Sequence, residues 1–396
     1  MPSSGSLCYE FVAPRQIVFG WGRRSEVGRL ARSLGRRAFV VSGARALAEQ
    51  GVIGQLCDRL KAEGVEPIQA AEILHEPEVD DVDCLAADLR GRGAGSGDLM
   101  LAVGGGAAID LAKAAGAMAT QQQSPTVKDY LENVGRDLKI TEPPLAVLAM
   151  PTTAGTGAEA TRNAVISSYD PAFKKSLRET RIMPWIALVD PELTVSVPAE
   201  VTAASGMDAI TQLLESYISR KAQPLPQAMA RHGLKLALPA IAEAVHNPRS
   251  RPAREAMSHA ALLSGMCLAN SGLGMAHGVA AALGVYCRAP HGAACALMLP
   301  VALRVNREVR ARELADLARE LFELPADMPE QEAVERLIGE IERLCGEVGV
   351  PRRLAELGVR REQIAAIVPA SRGSSMSGNP RELSDAELSQ LLEELL

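Results

Sequence analysis

The chain has 396 residues, 47% of them apolar and 23% charged, with a formal charge of −6. That length allows two domains and a sizeable core, while the acidic balance and the lack of a basic block exclude nucleic acid as the main partner. No apolar run is long enough to cross a membrane, and Met1 to Cys8 lacks the charged and apolar regions of a secretory leader. Seven cysteines, an odd number, run from Cys8 to Cys345 without a framework spacing. They suit reduced thiols and a cytoplasmic protein.

In the first half, short β-rich runs alternate with helical patterns. Gln16–Gly20 reads as a strand and Ser25–Leu34 as an amphipathic helix. Arg37–Ser42 is a strand ending at Gly43, followed by helical stretches through Glu63. Leu99–Val103, Leu145–Ala149 and Ile186–Val189 are further apolar strands. Continuous apolar strands separated by helices predict a parallel sheet covered on both faces, an α/β half. After Pro198 the strand signal ends. From Thr202 to Leu396 the pattern is helical, broken at Pro224/Pro226, Pro248/Pro252 and Pro290/Pro300. A boundary near Pro198 therefore divides an α/β domain, 1–198, from an all-α domain, 199–396.

Two loops in the first half carry chemistry. In Val103-Gly-Gly-Gly-Ala-Ala-Ile-Asp-Leu-Ala-Lys113 a strand runs into three glycines and then a helix. Backbone N–H groups there can approach a diphosphate closely, and the helix N-terminus adds roughly half a positive charge. The run matches neither GxGxxG nor a Walker loop. A tight strand-to-helix turn is the plain alternative. Asp110 caps or orients the loop and is counted with the cofactor-binding residues, while Lys113 reads as a solvated helix residue. Met150-Pro-Thr-Thr-Ala-Gly-Thr-Gly-Ala-Glu159 again follows a strand. Its hydroxyls suit either cofactor contacts or turn and N-cap roles. Lys174-Lys175 follow a Tyr-Asp-Pro turn and read as surface lysines.

The second half is organised around Gly206–Pro300. Asp208 and Gln212, spaced i and i+4, project oxygens from one face of an apolar helix. His277 and His291, two of only six histidines, bring imidazoles to the same point if the fold places them there. One carboxylate and two imidazoles form a common hard-to-borderline metal set. Cys267, Cys287 and Cys295 lie nearby without a paired base and read as small core residues.

Gly-Gly-Gly-Ala-Ala-Ile-Asp-Leu-Ala-Lys, Pro-Thr-Thr-Ala-Gly-Thr-Gly-Ala-Glu, Val189-Asp-Pro-Glu-Leu193, Gly-Met-Asp-Ala-Ile-Thr and Pro-His-Gly occur in this order. Together they resemble the iron-containing (group III) alcohol dehydrogenase family, most clearly from Val18 to about Pro300. The resemblance implies a Rossmann-like α/β domain, a helical metal- and substrate-binding domain, and a cleft between them for NAD(P) and a divalent metal, Fe²⁺ or Zn²⁺. It implies reversible hydride transfer between nicotinamide and a small alcohol or aldehyde, with the metal polarising the substrate oxygen, and makes a homodimer the candidate assembly. By position, the diphosphate loop falls on Gly104, Gly105 and Gly106. Nicotinamide-side contacts fall on Thr152, Thr153 and Thr156, a cofactor-contacting lysine on Lys174, and metal ligands on Asp208, His277 and His291.

Three positions depart from the family pattern. Gln212 stands where a ligand histidine is usual, and its neutral amide oxygen is a weaker, adjunct donor. Ala281 replaces a histidine credited with proton relay, so the proton is expected from bound water or a ribose hydroxyl. Gly43, with Arg45 close by, stands where an Asp often binds the adenosine 2′-hydroxyl. That exchange predicts that NADPH is accepted, with NADP preference as its sharper form. Alternatives are an enzyme like maleylacetate reductase, glycerol dehydrogenase or dehydroquinate synthase, and a non-catalytic nucleotide-binding relative.

Overall fold

The computed structural model describes residues 8–43 and 45–396; the leader expectation rests almost wholly on residues outside them. Among the described residues of the first half are eight strands: β1 (Gln16–Phe19), β2 (Arg37–Gly43), β3 (Glu66–Glu72), β4 (Asp98–Gly104), β5 (Ala146–Pro151), β6 (Asn163–Tyr169), β7 (Ala172–Arg178) and β8 (Ile186–Val189). Six form one parallel sheet in the order β1-β8-β5-β4-β2-β3. Among them are α1 (Val27–Arg32), α2 (Arg45–Glu49), α3 (Val52–Ala62), α4 (Val79–Gly91) and α5 (Gly106–Met118).

Both faces of the sheet are buried, which is why its central strands are apolar throughout rather than alternating. Ala38, Val40, Leu99, Leu101 and Val103 pack toward α1 and α3. Phe39, Val41, Met100 and Ala102, the intervening residues, pack toward α4 and α5.

β3 and the antiparallel hairpin β6–β7 are absent from the strands predicted above. β3 is an edge strand beside β2. Its sequence, Glu-Pro-Ile-Gln-Ala-Ala-Glu, is half exposed and carries the proline that only an edge tolerates. The hairpin turns at the Tyr-Asp-Pro sequence and carries Lys174 and Lys175 mid-strand in β7.

After β8 the described residues hold helices without strands: α6 (Ala199–Ile218), α7 (Pro224–His246), α8 (Arg251–Ser271), α9 (Met275–Cys287), α10 (His291–Asn306), α11 (Ala311–Phe322), α12 (Glu330–Glu347), α13 (Ile364–Ala370) and α14 (Asp385–Glu394). No single described helix is long and apolar enough to cross a membrane. Pro224, Pro226 and Pro252 fall at helix starts, where a missing N–H costs nothing. Pro300 does not break the chain as expected; it lies inside α10. The carbonyl that a proline there leaves without its usual donor, Ala296 O, faces the Cys345 thiol at 3.8 Å.

Lys113 corrects another expectation, since it is fully buried rather than solvated. Its ammonium donates to Ala158 O at 2.9 Å, to Thr161 Oγ1 at 3.0 Å and to Asn163 O. With three N–H donors engaged, the 2.9 Å approach to Asp110 Oδ1 is an ion pair without its own aligned hydrogen bond. The other Asp110 oxygen accepts from Val165 N–H at 3.0 Å. This pair thus joins α5 to the start of the hairpin. Removing one member of a buried pair strands the other. Lys113→Ala should therefore lower unfolding stability by about 3–5 kcal/mol, read by urea denaturation.

Candidate cofactor cleft and metal centre

The sheet order reverses between β2 and β4, since β3 lies beyond one and β5 beyond the other. In open α/β sheets ligands sit at such a switch point, outside the carboxyl ends of the strands. Here those ends are Gly43 and Gly104, facing each other in register. A Cβ on Gly104 would lie 2.6 Å from Ala108 Cβ and 3.0 Å from Gly43 N, so neither strand end has room for a side chain. α5 starts at Gly106 with no side chain capping its N-cap residue Gly105, which leaves first-turn N–H groups for an anion.

The second loop folds against the first. Thr152 N–H donates to Gly104 O at 3.0 Å. Thr153 packs beside Gly105, and Thr156 lies where a Gly106 Cβ would go, 2.8 Å from its Oγ1. Thr152 is buried, whereas Thr153 and Thr156 are half-buried. Arg45 is exposed at the start of α2.

These loops form one wall of a cleft of about 600 Å³, which Gly106, Asp110, Thr156, Lys174, His277 and His291 help to line. Lys174 is not a surface lysine: its side chain is 7% exposed and pairs with Glu76 at 2.6 Å. Burial works to raise the Glu76 carboxyl, and Lys174 outweighs it, holding Glu76 below the usual range.

The opposite wall comes from three helices. α6 is buried along most of its length and presents Asp208, Gln212 and Glu215 at i, i+4 and i+7, one face over two turns. α8 and α9 meet at a 100° bend, where Gly272 has φ 74°. The bend turns His277, in the first turn of α9, toward α6. Glu215 holds it there, accepting from Gly274 N at 3.0 Å, Ala276 N at 2.7 Å and His277 Nδ1 at 2.7 Å. A Cβ on Gly274 would meet Glu215 Oε1 at 2.8 Å, so this grip needs a glycine. His277 Nε2 then points at Asp208 Oδ1, 3.1 Å away.

α10 adds His291 and, one turn on, Cys295. The imidazoles of His277 and His291 stand edge-on with centroids 5.6 Å apart. Donor atoms of Asp208, His277, His291 and Cys295 all lie within 4.8 Å of one another. Burial opposes charge on His277, but Cys295, Asp208 and Glu215 prevail and keep it well above the ordinary histidine value. Burial, helped by the Lys174 ammonium, pushes His291 down to about 4, so the ring is uncharged near neutral pH and one of its nitrogens offers a lone pair. The buried His291 Nδ1 has no hydrogen-bond partner. A carboxylate and two imidazoles with donor atoms this close together fit a divalent cation.

Gln212 adjoins this cluster through its nitrogen. Nε2 faces Asp208 Oδ2 at 3.5 Å and Thr156 O at 3.3 Å, while Oε1 accepts from Ser264 Oγ at 3.0 Å. Two acceptors on one side fix that orientation. Sequence reasoning gave no role to Glu215 or Glu76 and placed Cys295 in the core. The i+7 spacing of Glu215 from Asp208 was the available signal for the first. Cys295 has the same one-turn spacing from His291 that linked Gln212 to Asp208.

Fold and site together fit a dinucleotide-binding dehydrogenase with a donor cluster suited to a metal ion in its helical half. Residues 14–191 match the family described as iron-containing alcohol dehydrogenase, and residues 202–396 its C-terminal counterpart; the chain belongs to this family. It is 31% identical over 388 residues to 1,3-propanediol dehydrogenase of Klebsiella pneumoniae, covering 97% of each chain. To lactaldehyde reductase of Escherichia coli (strain K12) it is 30% identical over 375 residues, covering 94% of this chain and 96% of that one. The crystal structure of a 1,3-propanediol oxidoreductase matches with a TM-score of 0.90 at 29% identity, over 98% of this chain and 100% of that one. Sulfoacetaldehyde reductase from Bifidobacterium kashiwanohense in complex with NAD⁺ matches at 0.86 and 28%, over 98% and 99%. The protein is an NAD(P)-dependent alcohol dehydrogenase or aldehyde reductase.

Glu159, which closes the threonine loop, is buried beneath the cleft wall. Burial raises its carboxyl to about 7, against the opposing pull of its own backbone N–H and Lys113. The folded value exceeds the unfolded one, so the folded state keeps this proton longer. Stability from this group is therefore full below about pH 4.5 and falls until about pH 7. Glu159→Gln removes that slope. Relative to wild type, the variant should gain up to roughly 3 kcal/mol between about pH 4.5 and pH 8, read by denaturation at both.

Proposed function

We propose that Asp208, His277 and His291 hold the catalytic divalent cation, and that Gly43, Gly104, Gly105, Gly106, Thr152, Thr153, Thr156 and Lys174 bind the dinucleotide. The convergence of Asp208, His277 and His291 on one point, with both histidines lining the cleft that Gly106 of the α5 N-terminus also lines, is the observation that carries this reading. Asp110 supports the glycine loop through Val165 and Lys113. Gln212 orients Asp208 through its amide nitrogen. The cation would supply Lewis-acid polarisation of the carbonyl oxygen, and the nicotinamide the hydride. The chain's own part is to hold both reactants close, with Glu215 fixing the tautomer and tilt of His277.

The relatives named for propanediol and lactaldehyde point to a small aliphatic alcohol or aldehyde as substrate. A homodimer in the cytoplasm is the expected setting. Two units divided at Pro198, the residue that precedes α6, are supported by the separate family matches to 14–191 and 202–396.

His277→Ala and His291→Ala should each lose bound metal and NAD(P)H oxidation with a panel of small aldehydes. Gln212→Ala should keep metal and part of its turnover, because its oxygen faces Ser264. Glu215→Gln should weaken metal affinity by roughly 10–100-fold, as losses behind a ligand histidine do. Elemental analysis after chelator titration reads all four. Full turnover in metal-stripped protein would instead favour the maleylacetate-reductase-like alternative.

We also propose that NADPH is accepted, because no acid stands at Gly43 and Arg45 lies beside the end of β2. Gly43→Asp cannot test this cleanly, since its Cβ would sit 2.9 Å from Ala108 Cβ. Arg45→Ala is the better probe. A charge-assisted hydrogen bond to the 2′-phosphate contributes about 1.5–3 kcal/mol, so kcat/KM for NADPH should fall at least tenfold, with that for NADH nearly unchanged. Equal kcat/KM for NADPH in both proteins would remove Arg45 from the assignment.

A further inference from the structure

We propose that Cys295 is itself a ligand of the divalent cation, completing the set Asp208, His277, His291 and Cys295 that Gln212 leaves short. This rests on the metal reading above. Cys295 follows His291 by one turn of α10 and shares its face. Its Sγ lies 3.7 Å from His291 Nε2, and Asp208 Oδ1 lies 3.1 Å from His277 Nε2. A tetrahedral zinc ion with nitrogen at about 2.0–2.1 Å and sulfur at about 2.3 Å separates its donors by about 3.3–3.6 Å. Those two observed separations bracket that spacing before any ion draws the donors together.

The other buried cysteines behave differently. Cys267 directs its thiol to Pro226 O at 3.2 Å and Cys345 to Ala296 O. Cys295, fully buried, meets His291 as its hydrogen-bonding neighbour among the described residues. Its thiol therefore turns into the ligand cluster rather than toward a helix carbonyl.

Charge favours the same set. Among Asp208, His277 and His291 only Asp208 is an anionic donor, the Glu215 carboxylate standing behind the His277 ring, so the dication has one anionic ligand where two would neutralise it directly. A thiolate at Cys295 completes the balance, its proton leaving to solvent as the sulfur–metal bond forms. Gln212, a neutral amide with its oxygen held by Ser264, contributes no charge. A sulfur ligand also shifts preference toward zinc over a hard cation such as Mg²⁺.

The test is cobalt substitution in the full-length protein. Metal-stripped wild type, Cys295→Ser, Cys267→Ser and His277→Ala are titrated with Co²⁺ and their absorption recorded, with circular dichroism checking the fold. Wild type and Cys267→Ser should show the near-ultraviolet sulfur-to-cobalt charge-transfer band along with the visible ligand-field bands. Cys295→Ser should lose the charge-transfer band and bind cobalt at least about tenfold more weakly, the lower end of losses seen even behind ligands. Ligand-field bands in wild type without the charge-transfer band would overturn the Cys295 assignment and leave the metal site standing. If wild type binds no cobalt, or His277→Ala binds it equally well, the metal reading fails and this assignment with it. Should Cys295→Ser misfold, the wild-type and Cys267→Ser spectra still decide, since a charge-transfer band kept in Cys267→Ser excludes that buried thiol as the source.

Discussion

A carboxylate buried at Glu215 is the constraint on which the site depends. A buried charge needs donors, and Glu215 finds three in one place: two N–H groups at the start of α9 and the ring of His277. The first two fix the angle at which α9 leaves the bend after α8. The third assigns Nδ1 of His277 to Glu215 and leaves Nε2 for the cleft. Helix direction and imidazole orientation thus have one cause. Anion and helix N-terminus also attract each other through the helix dipole. Gly274 belongs to the same device, because any Cβ there would displace the carboxylate.

The facing wall meets a different constraint with the same means. A dinucleotide's phosphates need backbone N–H groups at close range, and β2 and β4 end side by side in Gly43 and Gly104. Thr156 fills the space over Gly106, and its carbonyl meets the Gln212 amide at 3.3 Å. The glycine loop, the threonine loop and α6 are therefore coupled by direct contacts. Hydride transfer requires cofactor and substrate oxygen to be held in fixed relation, and this chain of contacts ties together the two walls that face the cleft.

The parallel sheet was legible because its central strands, buried on both faces, are apolar runs such as Leu99–Val103. β3 escaped because an edge strand with Pro67 and two glutamates has no such run. The β6–β7 hairpin escaped because it is half exposed and carries adjacent lysines, which read as a solvated loop. Lys113 shows the limit of residue type as a guide. Burial followed from three acceptors on a distant loop, 45 to 50 residues away, and no local pattern announces that. In the site, Asp208, His277 and His291 stood out because such residues are rare in apolar helices. Glu215 and Cys295 did not, since an acid near a helix end and a small thiol both have ordinary explanations. The partners of Glu215 come from α9, and the cluster around His291 and Cys295 is completed from α6 and α9, so only the three-dimensional arrangement joins them.

Gln212 bears on whether the departures from the family pattern mark a decayed site. Decay leaves buried polar groups without partners, because nothing maintains them. Gln212 is buried, yet its oxygen accepts from Ser264 and its nitrogen faces both Thr156 O and Asp208. A histidine there would face the same three neighbours with two ring nitrogens instead of an amide's separate donor and acceptor ends. Ser264 would then have to repartner, so position 212 and position 264 suit each other as they stand. The same logic extends across the cleft, where Lys174 is matched to Glu76 rather than left exposed. A site whose substituted residues are satisfied by their neighbours has been rebuilt around them, which is the condition for a working dehydrogenase of altered ligand chemistry.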